Sequence, residues 1–232
     1  MAKFDTREKY MDFVKSSNDW VKKDDFLVSL ATNRSVLDLG FVDHTLETID
    51  ALGTEWLHGR LREVASHIEG VDIEAEVVAA LRERGLSNLF VLDAENFDLG
   101  RTFNVVIAGD LIEHLSNPGS FLHCVKRHMN KGSIFAFSTP NPFSIDRSLN
   151  ISFEKEINVH SQHTCWVCPK TAWELLTRHG LEVVDFKWAS TRFQPCFWSK
   201  QEAALYALTA SEQASNPLTR SDFIVVCKLG VE

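Results

Sequence analysis

Asp110, Glu113 and His114 stand at i, i+3 and i+4 in the string GDLIEH (109–114). On a helical turn these positions share a face. Two carboxylates and an imidazole on one face suit a divalent ion, or a general base with an acid to orient it. Three more acids lie upstream. Asp38 precedes Gly40 in SVLDLG (35–40), Asp72 lies in GVDI (70–73), and Asp93 opens Asp93-Ala94-Glu95. A carboxylate at Asp72 can accept both hydroxyls of a ribose. One at Asp93 can accept the exocyclic amine of a purine, with a nearby backbone N–H completing adenine recognition. Together they describe a site for an uncharged adenosine, not a polyphosphate. Gly40 is followed by Phe41-Val42-Asp43-His44, so the phosphate-cradling G-x-G-x-x-G of dinucleotide sites is absent. His160, His163 and Trp166 fall in an irregular stretch and suit substrate contact or proton transfer. Plainer roles compete with each reading: helix caps for Asp72 and Asp93, simple hydrogen bonding for His114. Cys165 and Cys168 form a lone C-x-x-C, and zinc needs four ligands.

The elements that must position these residues form a strand–helix alternation. Strands are expected at 35–40, 68–73, 89–92, 103–108 and 133–138, then at about 182–188 and 222–228. Apolar residues at helical spacing mark helices at about 57–68, 75–84, 121–129 and 171–179. FNVVIA (103–108) is nearly all apolar, as befits a strand buried on both faces. The pattern predicts an α/β fold with a mostly parallel sheet and helices on both faces, with ligands at the carboxyl ends of the strands. Each motif above falls at such an end. Residues 1–30 read as a helical N-terminal arm or a lid. Residues about 195–218 read as a helical insertion before the last strand, where Ala203 to Leu208 could cover the site or form an oligomer interface.

The chain has 232 residues, 44% hydrophobic and 24% charged, with no repeat and no linker that would divide it, so 1–232 is read as a single domain. Its net charge of −8 disfavours nonspecific binding to nucleic acid or anionic lipid. No run is long enough to span a bilayer, and the N-terminus lacks an apolar signal core. Five cysteines, an odd number, fit reduced thiols and a cytoplasmic location.

The order VLDLG (36–40), GVDI (70–73), LDAENFDL (92–99), FNVVIAGDLIEHLSNPGSFL (103–122) and SIFAFSTPNPF (133–143) resembles class I S-adenosylmethionine-dependent methyltransferases over about residues 35–190. The likeness is greatest to small bacterial methyltransferases, several encoded with polysaccharide-synthesis genes, that share EWLHGRLREVA (55–65). It implies a Rossmann-like fold with a seven-stranded sheet and S-adenosylmethionine as cofactor. It also implies that Gly40 and the Phe41 backbone lie against the methionine part and that Asp72 holds the ribose. Asp93 and Ala94 would hold the adenine, Gly109 and Asp110 would flank the sulfonium and the substrate, and Asp38, Ile73 and Glu95 complete the expected cofactor-binding set. Two features depart from the family: Val42 and His44 stand where glycine is usual, and the interval from Asp38 to Asp72 exceeds the usual spacing of about 20 residues. The turn from Asp110 to His114 also resembles the E-x-x-E-H element of ubiquinone-pathway and small-RNA 2′-O-methyltransferases. That likeness implies a divalent metal ion such as Mg2+ on Asp110, Glu113, His114 and either His163 or His160.

The expected reaction is methyl transfer to a hydroxyl of a small molecule, such as a sugar or nucleotide-linked sugar. His114 or His163 takes the proton, directly or through a metal. Trp166, Phe143, Phe193 and Trp198 are candidates to stack on an acceptor ring. The rival readings are a noncatalytic cofactor-binding scaffold and an RNA 2′-O-methyltransferase; a nicotinamide dehydrogenase lacks its phosphate turn.

Overall fold

The computed structural model of the chain describes residues 4–18, 20–155, 157, 159–190, 211–212 and 215–230. One eight-stranded sheet dominates it: β1 (Trp20–Lys22), β2 (Ser35–Leu39), β3 (His67–Asp72), β4 (Leu89–Val91), β5 (Phe103–Gly109), β6 (Met129–Pro140), β7 (Leu181–Ser190) and β8 (Asp222–Leu229). The order across the sheet is β1-β7-β8-β6-β5-β2-β3-β4, and β8 alone runs antiparallel to its neighbours. The sequence predicts seven strands. The eighth is β1, which pairs with β7 through Trp20 and Trp188 inside the arm expected to be helical. A three-residue strand squeezed between helices leaves no periodic signature to read.

Side-chain alternation in the central strands feeds a core on each face. Val106 and Ala108 of β5 join Leu37 and Leu39 of β2 on one side; Val105 and Ile107 join Val36 on the other. Strands clothed on both faces need nearly unbroken apolar sequence. The first core is covered by α1 (Arg7–Ser16), α6 (Pro118–Arg127) and α8 (Pro169–Arg178), and the second by α2 (Lys23–Ala31) and α4 (Leu57–Val64); α3 (Leu46–Leu52), α5 (Ala75–Glu83) and α7 (Ile145–Leu149) fall between these in the chain. Local chemistry starts these helices where they start. Asn117 caps α6 by accepting the Ser120 N–H at 3.0 Å, with Pro118 in the first turn, and Thr6 caps α1. Tyr10 of α1 is fully buried and stacks on Trp173 of α8 at 5.1 Å. Most of the expected insertion lies outside the described residues, as do Phe193, Trp198 and the stretch from Ala203 to Leu208. Among the described residues, no helix is long and apolar enough to cross a membrane.

Candidate active site

β5, β2, β3 and β4 are consecutive, parallel neighbours, so their carboxyl ends share one edge of the sheet. Register aligns Asp38 with Gly70 and Ile107, and Asp72 with Val91. A cavity of about 1500 Å³ opens along this edge. Asp38, Gly40, Phe41, Asp72, Ile73, Asp93, Ala94, Glu95, Gly109, Asp110, Glu113, His114 and His163 all line it.

Gly40 turns the chain out of β2 with φ +71°, a conformation that costs a side-chain-bearing residue dearly, and a Cβ there would meet Leu111 Cδ1 at 2.8 Å. The loop beyond it is anchored without further glycines. Asp72 accepts the Val42 N–H through Oδ2 at 2.8 Å and the Glu74 N–H through Oδ1 at 3.1 Å. Trp56 Nε1–H donates to the Phe41 carbonyl at 3.0 Å. The Phe41 ring fills the space over Gly70, where a Cβ would meet it at 2.7 Å. Burial raises the Asp72 carboxyl above its ordinary value, against the opposing pull of those N–H bonds. Each of its oxygens retains lone-pair capacity for a ribose hydroxyl. Asp93 is exposed and turns the chain after β4 by accepting the Glu95 N–H at 2.8 Å; Glu95 in turn accepts the Ser116 N–H at 2.6 Å. Ile73, two-thirds exposed, offers an apolar surface beside them.

Beneath this loop sits a pair that sequence reasoning missed. Asp38 Oδ2 lies 2.8 Å from His58 Nδ1, both side chains buried. Burial raises Asp38, and hydrogen bonding to His58 opposes it. Nothing in the sequence links His58 to Asp38, since the two meet only when α4 packs across β2.

The helical turn expected to align Asp110, Glu113 and His114 does not form as such. Asp110 adopts φ +49°, and the turn that follows is a 3-10 turn of three residues, Ile112–His114. The three side chains take separate directions. Asp110 bonds Lys23 Nζ and accepts the Ser138 hydroxyl at 2.7 Å. Burial opposes ionisation of Asp110, but the Lys23 charge outweighs it and the carboxyl lies below its ordinary value. Lys23, raised above its ordinary range by Asp110 and Asp222 despite burial, is the second missed residue; it comes from the arm, where a lysine in a charged stretch reads as a solvated face. Glu113 turns into the protein, accepts the Thr139 hydroxyl at 2.9 Å through Oε2, and leaves Oε1 buried with no partner among the described residues. Burial first, then the charge of Asp110, pushes its carboxyl up to about 8.

His114 faces other imidazoles. The backbone carbonyl of Glu113 accepts the N–H groups of Thr164 and Cys165 at 2.9 and 3.2 Å, and the Thr164 hydroxyl donates to the Leu115 carbonyl at 2.6 Å. These bonds strap the 160–165 segment to the turn after β5. They place the His163 ring 4.6 Å from that of His114, with His160 at 5.7 Å. Burial, then neighbouring imidazoles, lower His114 and bring His163 down to about 4. Both rings are neutral at neutral pH.

A cleft at the tips of parallel strands, lined by acids and without a phosphate turn, suits a nucleoside. Residues 18–185 match the family described as a methyltransferase domain. The chain belongs to that family. The methyltransferase is similar in fold to a S-adenosylmethionine-dependent methyltransferase from Archaeoglobus fulgidus, with 16% identity, TM-score 0.59, and 96% of this chain and 94% of that one covered. It is likewise similar to one from Clostridium acetobutylicum ATCC 824, with 13% identity, TM-score 0.56, and 90% and 91% covered. The [4+2]-cyclase SpnF is also similar, with 16% identity, TM-score 0.59, and 90% and 81% covered. No curated protein matches the chain. The chain carries a methyltransferase domain, and the scaffold and nicotinamide readings give way to it. The resemblance to enzymes of polysaccharide-synthesis clusters has no counterpart among these matches.

Proposed function

We propose that the enzyme transfers a methyl group from S-adenosylmethionine to a hydroxyl of a small molecule, such as a sugar or nucleotide-linked sugar. Gly40 and Phe41 would hold the cofactor's methionine part, Asp72 its ribose, and Ile73 with Asp93, Ala94 and Glu95 its adenine. When bound, the cofactor supplies a methyl activated by the sulfonium charge. Asp110, left anionic by its Lys23 contact, lends that charge a counterion beside Gly109. The remaining task is alignment of nucleophile, methyl and sulfur, for which a walled cleft suffices.

The observation that carries the hydroxyl acceptor is the cluster of neutral imidazoles beside Asp110. A hydroxyl nucleophile must shed its proton as the bond forms, and His114 and His163 present neutral nitrogens to receive it at neutral pH. The net charge of −8 favours a small acceptor over a nucleic acid. The test is acceptor-dependent formation of S-adenosylhomocysteine across a panel of sugars and nucleotide sugars, with the product's mass higher by one methyl group. His163→Ala is expected to lower kcat about a hundredfold or more. Turnover undiminished in both His163→Ala and His114→Ala contradicts the hydroxyl reading.

A further inference from the structure

Four histidines from three segments meet at the acceptor end of the cavity. His44 comes from the loop after β2, His114 from the turn after β5, and His160 and His163 from the segment before α8. One ring nitrogen from each of His114, His160 and His163 lies within 4.8 Å of the other two. His44 stacks on His160 at 4.9 Å. The Nδ1 of His163 is buried with no partner among the described residues, which costs about 1–3 kcal/mol if nothing satisfies it. Three imidazoles converging in this way offer a shared cation three nitrogen ligands.

We propose that His114, His160 and His163 form a three-imidazole site for a divalent transition ion of the zinc type, with its fourth position open to the acceptor. The ligand set differs from the one the sequence suggests. Asp110 is engaged by Lys23 and Ser138, and Glu113 is buried against Thr139. Without carboxylates the site does not suit Mg2+, which demands oxygen ligands in octahedral array; neutral imidazoles suit zinc, cobalt or nickel. The neighbouring cysteines are turned elsewhere: Cys165 Sγ faces the Ile112 carbonyl at 3.6 Å, and Cys168 opens α8. Zinc–nitrogen bonds of about 2.0–2.1 Å in a tetrahedral arrangement need nitrogens about 3.3 Å apart. Small imidazole rotations close the remaining distance. His160 keeps Nδ1 occupied by the Gln162 N–H at 3.3 Å, which leaves Nε2 as its ligand atom. Three protein ligands and one open position are the arrangement of a catalytic rather than a structural metal. The open position's use for a hydroxyl rests on the methyl-transfer reading above, with the ion lowering the hydroxyl's pKa in place of a free imidazole base; the cation site itself does not.

The probe is Co2+ titrated into the metal-free full-length protein. The expected result is one equivalent bound with the visible absorption of low-coordinate Co2+, displaced by Zn2+ and unaffected by Mg2+. His160→Ala and His163→Ala should each weaken binding about a hundredfold, and His160, being exposed, keeps the test free of folding defects. Calorimetry with S-adenosylhomocysteine on the same samples separates the two claims. Cofactor binding without a Co2+ spectrum in the wild type overturns the metal site and leaves the methyl-transfer reading intact. A Co2+ spectrum that persists in both variants also overturns the assignment. A histidine-dependent spectrum without cofactor binding upholds the site and removes the reading.

Discussion

At the scale of residues, Asp72 carries the most. It is buried, ties the loop after β2 to the turn after β3 through two backbone N–H groups, and faces the cavity. Asp72→Asn keeps the shape but replaces one acceptor oxygen with a donor. The affinity for S-adenosylhomocysteine should fall at least about tenfold, roughly 1.4 kcal/mol, while the circular dichroism spectrum is unchanged. Glu113 makes a prediction of opposite character. Its folded carboxyl titrates at about 8 against an ordinary 4.5, so the fold favours its neutral form. That contribution is complete below 4.5 and is lost as pH rises through about 8. Glu113→Gln, neutral throughout, should flatten the decline of Tm between about pH 5 and pH 9; an unaltered decline would place its cause elsewhere. His163 runs the other way. Its depressed pKa means that its contribution is present above the unfolded value and is lost as pH falls towards about 4. The individual acids were legible in the sequence because each follows an apolar strand. Their partners were not: His58 and Lys23 sit far along the chain and reach Asp38 and Asp110 only through packing.

Among the elements, α2 joins the arm to the site. Lys23 opens this helix and holds Asp110, so the start of α2 and the turn after β5 are linked by a largely desolvated ion pair. Lys23→Met removes the ion-pair partner of Asp110 and leaves Asp222, among the described residues, with only the charge of Arg147 to favour its ionised form. Because Asp110 is about one-third exposed, the expected loss is moderate, about 2 kcal/mol, with Asp110→Asn in the same chain restoring part of it. Chemical denaturation of the two single variants and the double variant measures this coupling. A second element-level dependence lies at Gly70, whose missing side chain admits Phe41 and His58. Gly70→Ala should displace the loop after β2, lowering stability by about 1–3 kcal/mol and weakening cofactor affinity with it. The alternation of strands and helices was readable because buried strands are nearly all apolar and helices repeat at 3.6 residues. The turn of Asp110, Glu113 and His114 misled because spacing alone cannot show that Asp110 takes a left-handed conformation and stops a helix from forming there.

For the whole molecule, parallel strand ends bring acids from distant sequence into one cleft, and the antiparallel β8 lies inside the sheet between β6 and β7. The same architecture serves the cyclase SpnF, so the fold alone does not define the chemistry. Acids and the apolar Ile73 line the same cleft as His114, His160 and His163, and we propose the acids for the nucleoside and the histidines for the acceptor. We propose that Asp72 and Asp93 hold the adenosine of S-adenosylmethionine across the tips of β3 and β4. Isothermal titration calorimetry with S-adenosylhomocysteine is the decisive measurement. Single-site binding in the micromolar range or tighter is expected, weakened at least about tenfold by Asp72→Asn. An absence of binding up to millimolar ligand, or an affinity untouched by changing both Asp72 and Asp93, would contradict it.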